Sequence, residues 1–300
     1  MDRLEQSNVK TYCLGGSAVY SAIALTRLGH AVQFWSQVGT DFDRSLLDEL
    51  QRDDILWRLK VAQGPNAKIH LVYDSAGHIS RFHYELGVGR LLHVDALGEG
   101  FWVSTCVWLG TAPPDYQLAV ARKAVTHGQA VYLSPQGDYK GEFGAFSRLL
   151  PYLSGIFLNQ REARELCGDT LEQAVARLCE GGPHLLCVIT CGERGAFLAW
   201  GENLYRVNAC PQPMVNATGA GDAFAASFVH RFLAGVGPAE SLAFASVAAA
   251  MSLPAFAYRA IAAEQQVLTE LARRRQQIKV GRASLDSAKA RKWLKKGGVV

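Results

Sequence analysis

The feature that most limits the fold of this 300-residue chain is a repeated switch of apolar period. Short β-branched runs at residues 31–38, 103–109, 130–134, 155–158, 185–190 and 196–200 alternate with helical spacing at 17–28, 116–126, 171–179 and 220–233. A strand that is apolar along its whole length must be covered on both faces, and a helix between two such strands supplies the cover. The pattern therefore predicts an α/β chain of βα units on a mainly parallel sheet. Helix punctuation agrees. Gly29 and Gly235 each follow a periodic run, where a left-handed residue ends a helix. Thr170 and Gln173 have the spacing of a capping box that opens the 171–179 helix. With 49% apolar and 19% charged residues the chain can bury a large core, and no apolar run approaches the roughly 20 residues that span a bilayer.

One stretch departs from the βα pattern. Residues 68–73 and 79–85 read as two strands joined by 74–78, which contains Gly77, so a hairpin is expected at about 66–86. Ile79, Arg81, His83 and Glu85 alternate with Ser80, Phe82 and Tyr84, which gives the hairpin two different faces. A lid over a site and a surface decoration both fit. The first ten residues are polar, lack the order of a secretory leader and do not read as a strand.

The seven cysteines (Cys13, Cys106, Cys167, Cys179, Cys187, Cys191 and Cys210) form no CxxC pair and sit among apolar neighbours. Reduced thiols in a cytoplasmic protein are expected, rather than disulfides or a zinc site. Charge is uneven. Between residues 273 and 296 ten Lys or Arg face one acid, Asp286, so that stretch carries +9 of a chain whose net charge is +4, and the remainder carries −5. Residues 1–271 are expected to form the domain and 272–300 a basic tail, either a solvated terminal helix or a disordered segment. Only Trp293 lies among the tail's bases, so the pattern does not argue for a nucleic-acid partner.

The segment richest in chemistry is Val215-Asn216-Ala217-Thr218-Gly219-Ala220-Gly221-Asp222-Ala223-Phe224, which runs into an apolar helix. Two glycines around one small residue allow a sharp turn and leave amides unobstructed. Those amides open a helix, so they lack helical acceptors and favour an anion. Asp222 at this place either complements the helix N-terminus or stands beside the anion as a base, and the residues alone leave both readings open. A dinucleotide fingerprint fits poorly, because Phe224 stands where a small residue is needed, and no GxxxxGK[ST] loop occurs.

Residues 217–224 resemble the C-terminal signature of the ribokinase (PfkB) carbohydrate kinases. Three further segments resemble that family in the same order: Gly15-Gly16 with Ala24-Leu25-x-x-Leu28-Gly29 and Val38-Gly39-x-Asp41; Asn159-x-x-Glu162; and Thr190-x-Gly192-x-x-Gly195. The resemblance covers about residues 13–255. It implies a ribokinase-like three-layer α/β/α domain with a mostly parallel sheet and a small β lid. It also implies transfer of phosphate from ATP to a hydroxyl of a sugar, an inositol-like polyol or a nucleoside. Asp222 would be the general base, with the Gly219, Ala220 and Gly221 amides as the anion hole. Asn159, Glu162, Thr190, Gly192, Gly195 and Thr218 would hold the nucleotide, and Glu162 would order Mg²⁺ through water. Gly15, Gly16, Ser17, Tyr20, Asp41 and Thr111 would line the acceptor, and dimerisation through the hairpin is open.

Three departures accompany the resemblance. The strand and acceptor-binding Asp that family members carry before the glycine pair are not expected from residues 1–10. Asn216 replaces an Asp that helps hold a monovalent cation in relatives, so potassium activation is not expected. Residues 252–258 lack the usual glycine-containing turn. A catalytically weak relative that binds a ligand or a protein is the alternative reading. Arg27 and Arg44 form no anion cluster beside the glycine pair, which favours a neutral acceptor, with sugar or polyol ahead of nucleoside.

Overall fold

The computed structural model describes residues 2–6, 9–74, 79–135, 143–295 and 297. Strands β1 (Asp2–Gln6) and β2 (Val9–Cys13) precede helix α1 (Ser17–Arg27) and strands β3 (Val32–Gly39), β4 (Ile55–Ala62), β5 (Lys68–Tyr73), β6 (Ile79–Glu85) and β7 (Cys106–Leu109). Then come α2 (Pro114–Thr126), β8 (Ala130–Leu133), α3 (Phe143–Ser147), β9 (Gly155–Asn159), α4 (Gln160–Cys167) and α5 (Leu171–Leu178). The chain continues through β10 (Leu186–Thr190), β11 (Ala196–Trp200) and β12 (Asn203–Val207). Helices α6 (Ala220–Leu233), α7 (Pro238–Ser252) and α8 (Glu264–Arg274) follow, and β13 (Val280–Ser284) and α9 (Ala288–Lys295) close the order.

The main sheet runs β13-β12-β11-β10-β9-β8-β7. Strands β7 to β10 are parallel, as the apolar runs predict, and β11, β12 and β13 extend the sheet antiparallel. Residues 155–158 and 186–189 are buried along their length because helices cover both faces. On one face Leu133, Ile156, Leu158 and Ile189 pack with Leu118, Ala163 and Leu178. On the other, Val188 and Leu198 pack with Phe228, Leu242 and Val247. This is the three-layer α/β/α arrangement expected. The capping box of Thr170 and Gln173 is present, and Gly29 and Gly235 are left-handed. None of the described helices is long and apolar enough to cross a membrane.

A smaller sheet, ordered β2-β1-β5-β6, forms the lid. Strands β5 and β6 pair antiparallel as expected, while the tip at 75–78 lies outside the described residues. The reading of residues 1–10 as strandless is corrected: β1 pairs parallel with β5 and antiparallel with β2. A lid strand needs only one apolar face. Leu4, 1% exposed and in register with Leu71, meets that need within an otherwise polar segment. Strands β3 and β4 form a separate parallel pair.

The expected solvated tail is also corrected. Strand β13 pairs with β12, and Ala290, Trp293 and Leu294 of α9 are buried in the core shared with α4 and α5. Their i, i+3, i+4 spacing forms an apolar stripe among the lysines, and the density of charge hides it. Arg206 and Lys289 lie over the Trp293 ring at 4.4 Å and 5.1 Å, so the basic residues cover the indole rather than standing apart from it. Arg27 is likewise structural. It makes a bidentate pair with Asp53 (2.7 Å and 3.0 Å) and donates to the carbonyls of Tyr258 and Ile261. Trp293→Ala should lower unfolding free energy by about 3–5 kcal/mol, measured by chemical denaturation, whereas loss of a solvated-tail residue would leave it unchanged.

Candidate active site

Loop 216–222 leads into α6, includes its first residues, and is held from three sides. Asn216 is fully buried, and its side-chain oxygen accepts from the Thr218 amide (3.0 Å) and the Ala257 amide (3.4 Å). The Thr218 hydroxyl is hydrogen-bonded to the Tyr73 hydroxyl of β5. Gly219 caps α6 in a left-handed conformation (φ +83°), and a Cβ there would lie 3.0 Å from the Tyr20 ring. Both facts require glycine. Ala223 donates to Gly219 O at 2.8 Å, which starts the helix. Ala220 was expected as an anion donor, but its amide donates to Ala217 O at 3.2 Å. The Gly221 amide, at an exposed position in the first turn, has no helical carbonyl to bond. Asp222 follows in the same turn, 7% exposed.

The glycine pair lies close to the ends of β7 and β8. Gly16 is left-handed (φ +93°) and caps α1. Ser17 is 1% exposed and donates to Ser134 O at 3.0 Å, and a Cβ on Gly110 would come within 2.7 Å of Ala18 Cβ. The Ser17 hydroxyl thus serves packing between α1 and the sheet. Just beyond β7 and β8, the hydroxyls of Thr111 and Ser134 are buried and have no partner among the described residues. Two orphaned hydroxyls at neighbouring strand ends suit a polar ligand. The sequence reading contains Thr111 but misses Ser134, which it treats only as the end of a strand.

Two residues expected at the acceptor have other roles. Tyr20 is 1% exposed and supports Gly219, with its ring centroid 6.3 Å from that of Tyr258, so it is a buried wedge rather than a pocket wall. Asp41 accepts from the Asn66 amide (2.5 Å) and pairs with Lys68 (2.8 Å). The Lys68 ammonium and that amide hold its carboxyl below the usual carboxylate range. Asp41 therefore orders the connection from β3 to the lid.

Of the residues expected at the nucleotide, Asn159 and Thr190 are placed in register at adjacent strand ends by β9 and β10. Asn159 caps α4: its side chain accepts from the Glu162 amide (2.9 Å), and its own amide donates to Glu162 Oε2 (2.8 Å). The pair is a capping box, and Glu162 is half-buried rather than an exposed acid. Thr190 leads into a tight 3₁₀ turn at Gly192–Arg194, where Cys191 N donates to Gly195 O at 2.7 Å. A Cβ on Gly195 (φ +93°) would lie 1.9 Å from Val207 O, so contact with β12 already requires this glycine. Arg194 reaches Gln160, the first residue of α4, and so joins the turn to the Asn159 cap.

The profile of the pfkB family carbohydrate kinases matches residues 3–256, and the chain belongs to that family. It is a phosphotransferase with an alcohol acceptor. A cytidine kinase of Thermococcus kodakarensis is 25% identical over 227 residues, covering 74% of this chain and 81% of the relative. A nucleoside kinase of Methanothermobacter thermautotrophicus is 27% identical over 241 residues, covering 78% and 76%. The crystal structure of a probable sugar kinase from Rhizobium etli superposes with a TM-score of 0.78 at 18% identity, over 91% of this chain and 94% of that one. The fold is ribokinase-like.

Burial pushes the Glu162 carboxyl up to about 7, against the opposing hydrogen bonds from Asn159. A carboxyl whose folded pKa exceeds its unfolded value near 4.5 contributes stability that is complete below pH 4.5 and is lost as pH rises through 7. Glu162→Gln keeps a capping side chain but cannot ionise. Its stability relative to wild type, measured by denaturation, should rise between pH 4.5 and pH 8 by up to about 3 kcal/mol.

Proposed function

We propose that this chain is an ATP-dependent kinase acting on a hydroxyl of a small sugar, polyol or nucleoside, with Asp222 as the general base. The observation that carries the reading is the buried Asp222 carboxylate in the first turn of α6, one residue from the Gly221 amide and behind a left-handed Gly219. An alcohol attacks a phosphoryl group poorly until its proton has an acceptor, and a carboxylate beside a helix N-terminus accepts the proton while the dipole favours the phosphate. The Gly219 and Gly221 amides stabilise charge on the transferring group. The Ala220 amide joins them only by releasing Ala217 O.

Kinases of the pfkB family take their phosphoryl group from ATP. Thr190 and the turn ending at Gly195 border the nucleotide, and Asn159 with Glu162 stands at the phosphates. The donor set suits Mg²⁺ held chiefly by phosphates and water, because Glu162 offers one carboxylate oxygen beyond its bond to Asn159, and no group of three metal-binding side chains occurs among the described residues. Bound there, Mg²⁺ would neutralise charge on the phosphates. No monovalent cation is assigned to Asn216, whose oxygen already serves two amides. The acceptor lies between the lid and the ends of β7 and β8, with Gly15, Gly16, Thr111 and Ser134 around it. No guanidinium is assigned to it, since Arg27 is committed to Asp53 and two carbonyls, so a neutral acceptor is favoured. Seven unbridged cysteines accord with a reducing compartment.

The test is Mg-ATP turnover across pentoses, hexoses, inositols and nucleosides, with Asp222→Asn alongside. Acceptor-dependent ADP release should fall by roughly 10²–10⁴ in the variant. Turnover that survives Asp222→Asn contradicts the assignment of the base, and a protein that binds ATP but phosphorylates none of these acceptors contradicts the kinase reading.

A further inference from the structure

The lid and loop 216–222 meet at a pair of hydroxyls. Ile69, Leu71 and Tyr73 alternate along β5, and Leu71 and Tyr73 are each 5% exposed within the core that α1 and α6 share with the lid. At the end of β5 the pairing with β6 breaks register. Val72 is opposite Arg81, but Tyr73 is opposite Ile79, so Ser80 is the extra residue of a bulge. The Ser80 hydroxyl donates to Val72 O at 3.0 Å and holds the bulge in place. A bulge raises local twist and re-aims the adjacent side chain. Here that side chain is Tyr73, whose hydroxyl is bonded to the Thr218 hydroxyl.

Thr218 is therefore held at two atoms. Its amide is tied to Asn216, and its side chain is tied to the lid. Thr218 is 8% exposed, and Gly219 and the start of α6 follow directly. Moving β5 away breaks the side-chain tie and leaves the amide one.

Resting on the kinase reading above, we propose that Tyr73 is a positioning residue for phosphoryl transfer, which through Thr218 couples the geometry of loop 216–222 to the seating of lid strand β5. A hydroxyl pair of this kind is worth about 1 kcal/mol net, because water takes over its bonds when the lid lifts. The coupling therefore biases the loop rather than locking it, and its effect on rate is about fivefold. The bias matters when the acceptor is bound and the lid seated. ATP binding alone does not need it.

Steady-state kinetics of Tyr73→Phe, Thr218→Val and the double variant test the assignment. Each single variant should lower acceptor-dependent kcat about fivefold, and in Tyr73→Phe the KM for ATP should stay within about twofold. The double variant should fall no further than the lower single variant, and Thr218→Ser, which keeps the hydroxyl, should restore the rate. Multiplying losses in the double variant, or an unchanged kcat in Tyr73→Phe, would overturn the proposal while leaving the kinase reading intact. Absence of acceptor-dependent turnover in wild type would overturn that reading and this assignment with it.

Discussion

The seating of Gly219 on the Tyr20 ring is the contact on which the site depends. A left-handed residue at that point turns the chain from the loop into α6, and a side chain there would face both the steric cost of positive φ, about 1–2 kcal/mol, and a ring 3.0 Å away. The turn fixes where α6 begins, hence which amides lack helical acceptors and where Asp222 stands. Tyr20 in turn belongs to α1, whose own start is set by left-handed Gly16. Two glycine-capped helices packed against one another thus bring the glycine pair and loop 216–222 together.

Several residues proposed for the site also organise the backbone around it. Asn159 and Glu162 form a capping box, which fixes the start of α4 and keeps one carboxylate oxygen beside the end of β9. The box explains why the two residues sit three apart, and the half-buried position of Glu162 explains why its proton is held more tightly than usual. Asn216 is a further case: its amide oxygen organises the loop through the Thr218 and Ala257 amides. In each case the polar group is spent on backbone amides.

The fold was legible because its signals are local. Strands 155–158 and 185–190 are continuous apolar runs, and Gly29, Gly235 and Thr170 mark helix ends within a residue or two. The order of the four motifs carried the family. What escaped depends on packing rather than on pattern. Helix α7 is buried on almost every side, so it has no polar face to reveal its period. Leu4 and Trp293 each anchor an element that reads as polar or basic overall, and only the partner surface shows that one apolar residue suffices. At the proposed site, the start of a helix at Gly219 with Asp222 in its first turn could be read from residues 215–224. The diversion of Tyr20, Ser17 and Asp41 to structural roles could not, because each depends on a partner distant in sequence: Gly219, Ser134 and Lys68.

The central claim is that the start of α6 receives the transferring phosphate and that Asp222 faces the attacking hydroxyl. A crystal structure with acceptor and a non-hydrolysable ATP analogue tests it most directly. The account predicts the terminal phosphate in front of the Gly221 amide and an Asp222 carboxylate oxygen about 3 Å from the acceptor hydroxyl. An acceptor bound with that oxygen well beyond hydrogen-bond reach, or a phosphate away from α6, would contradict it.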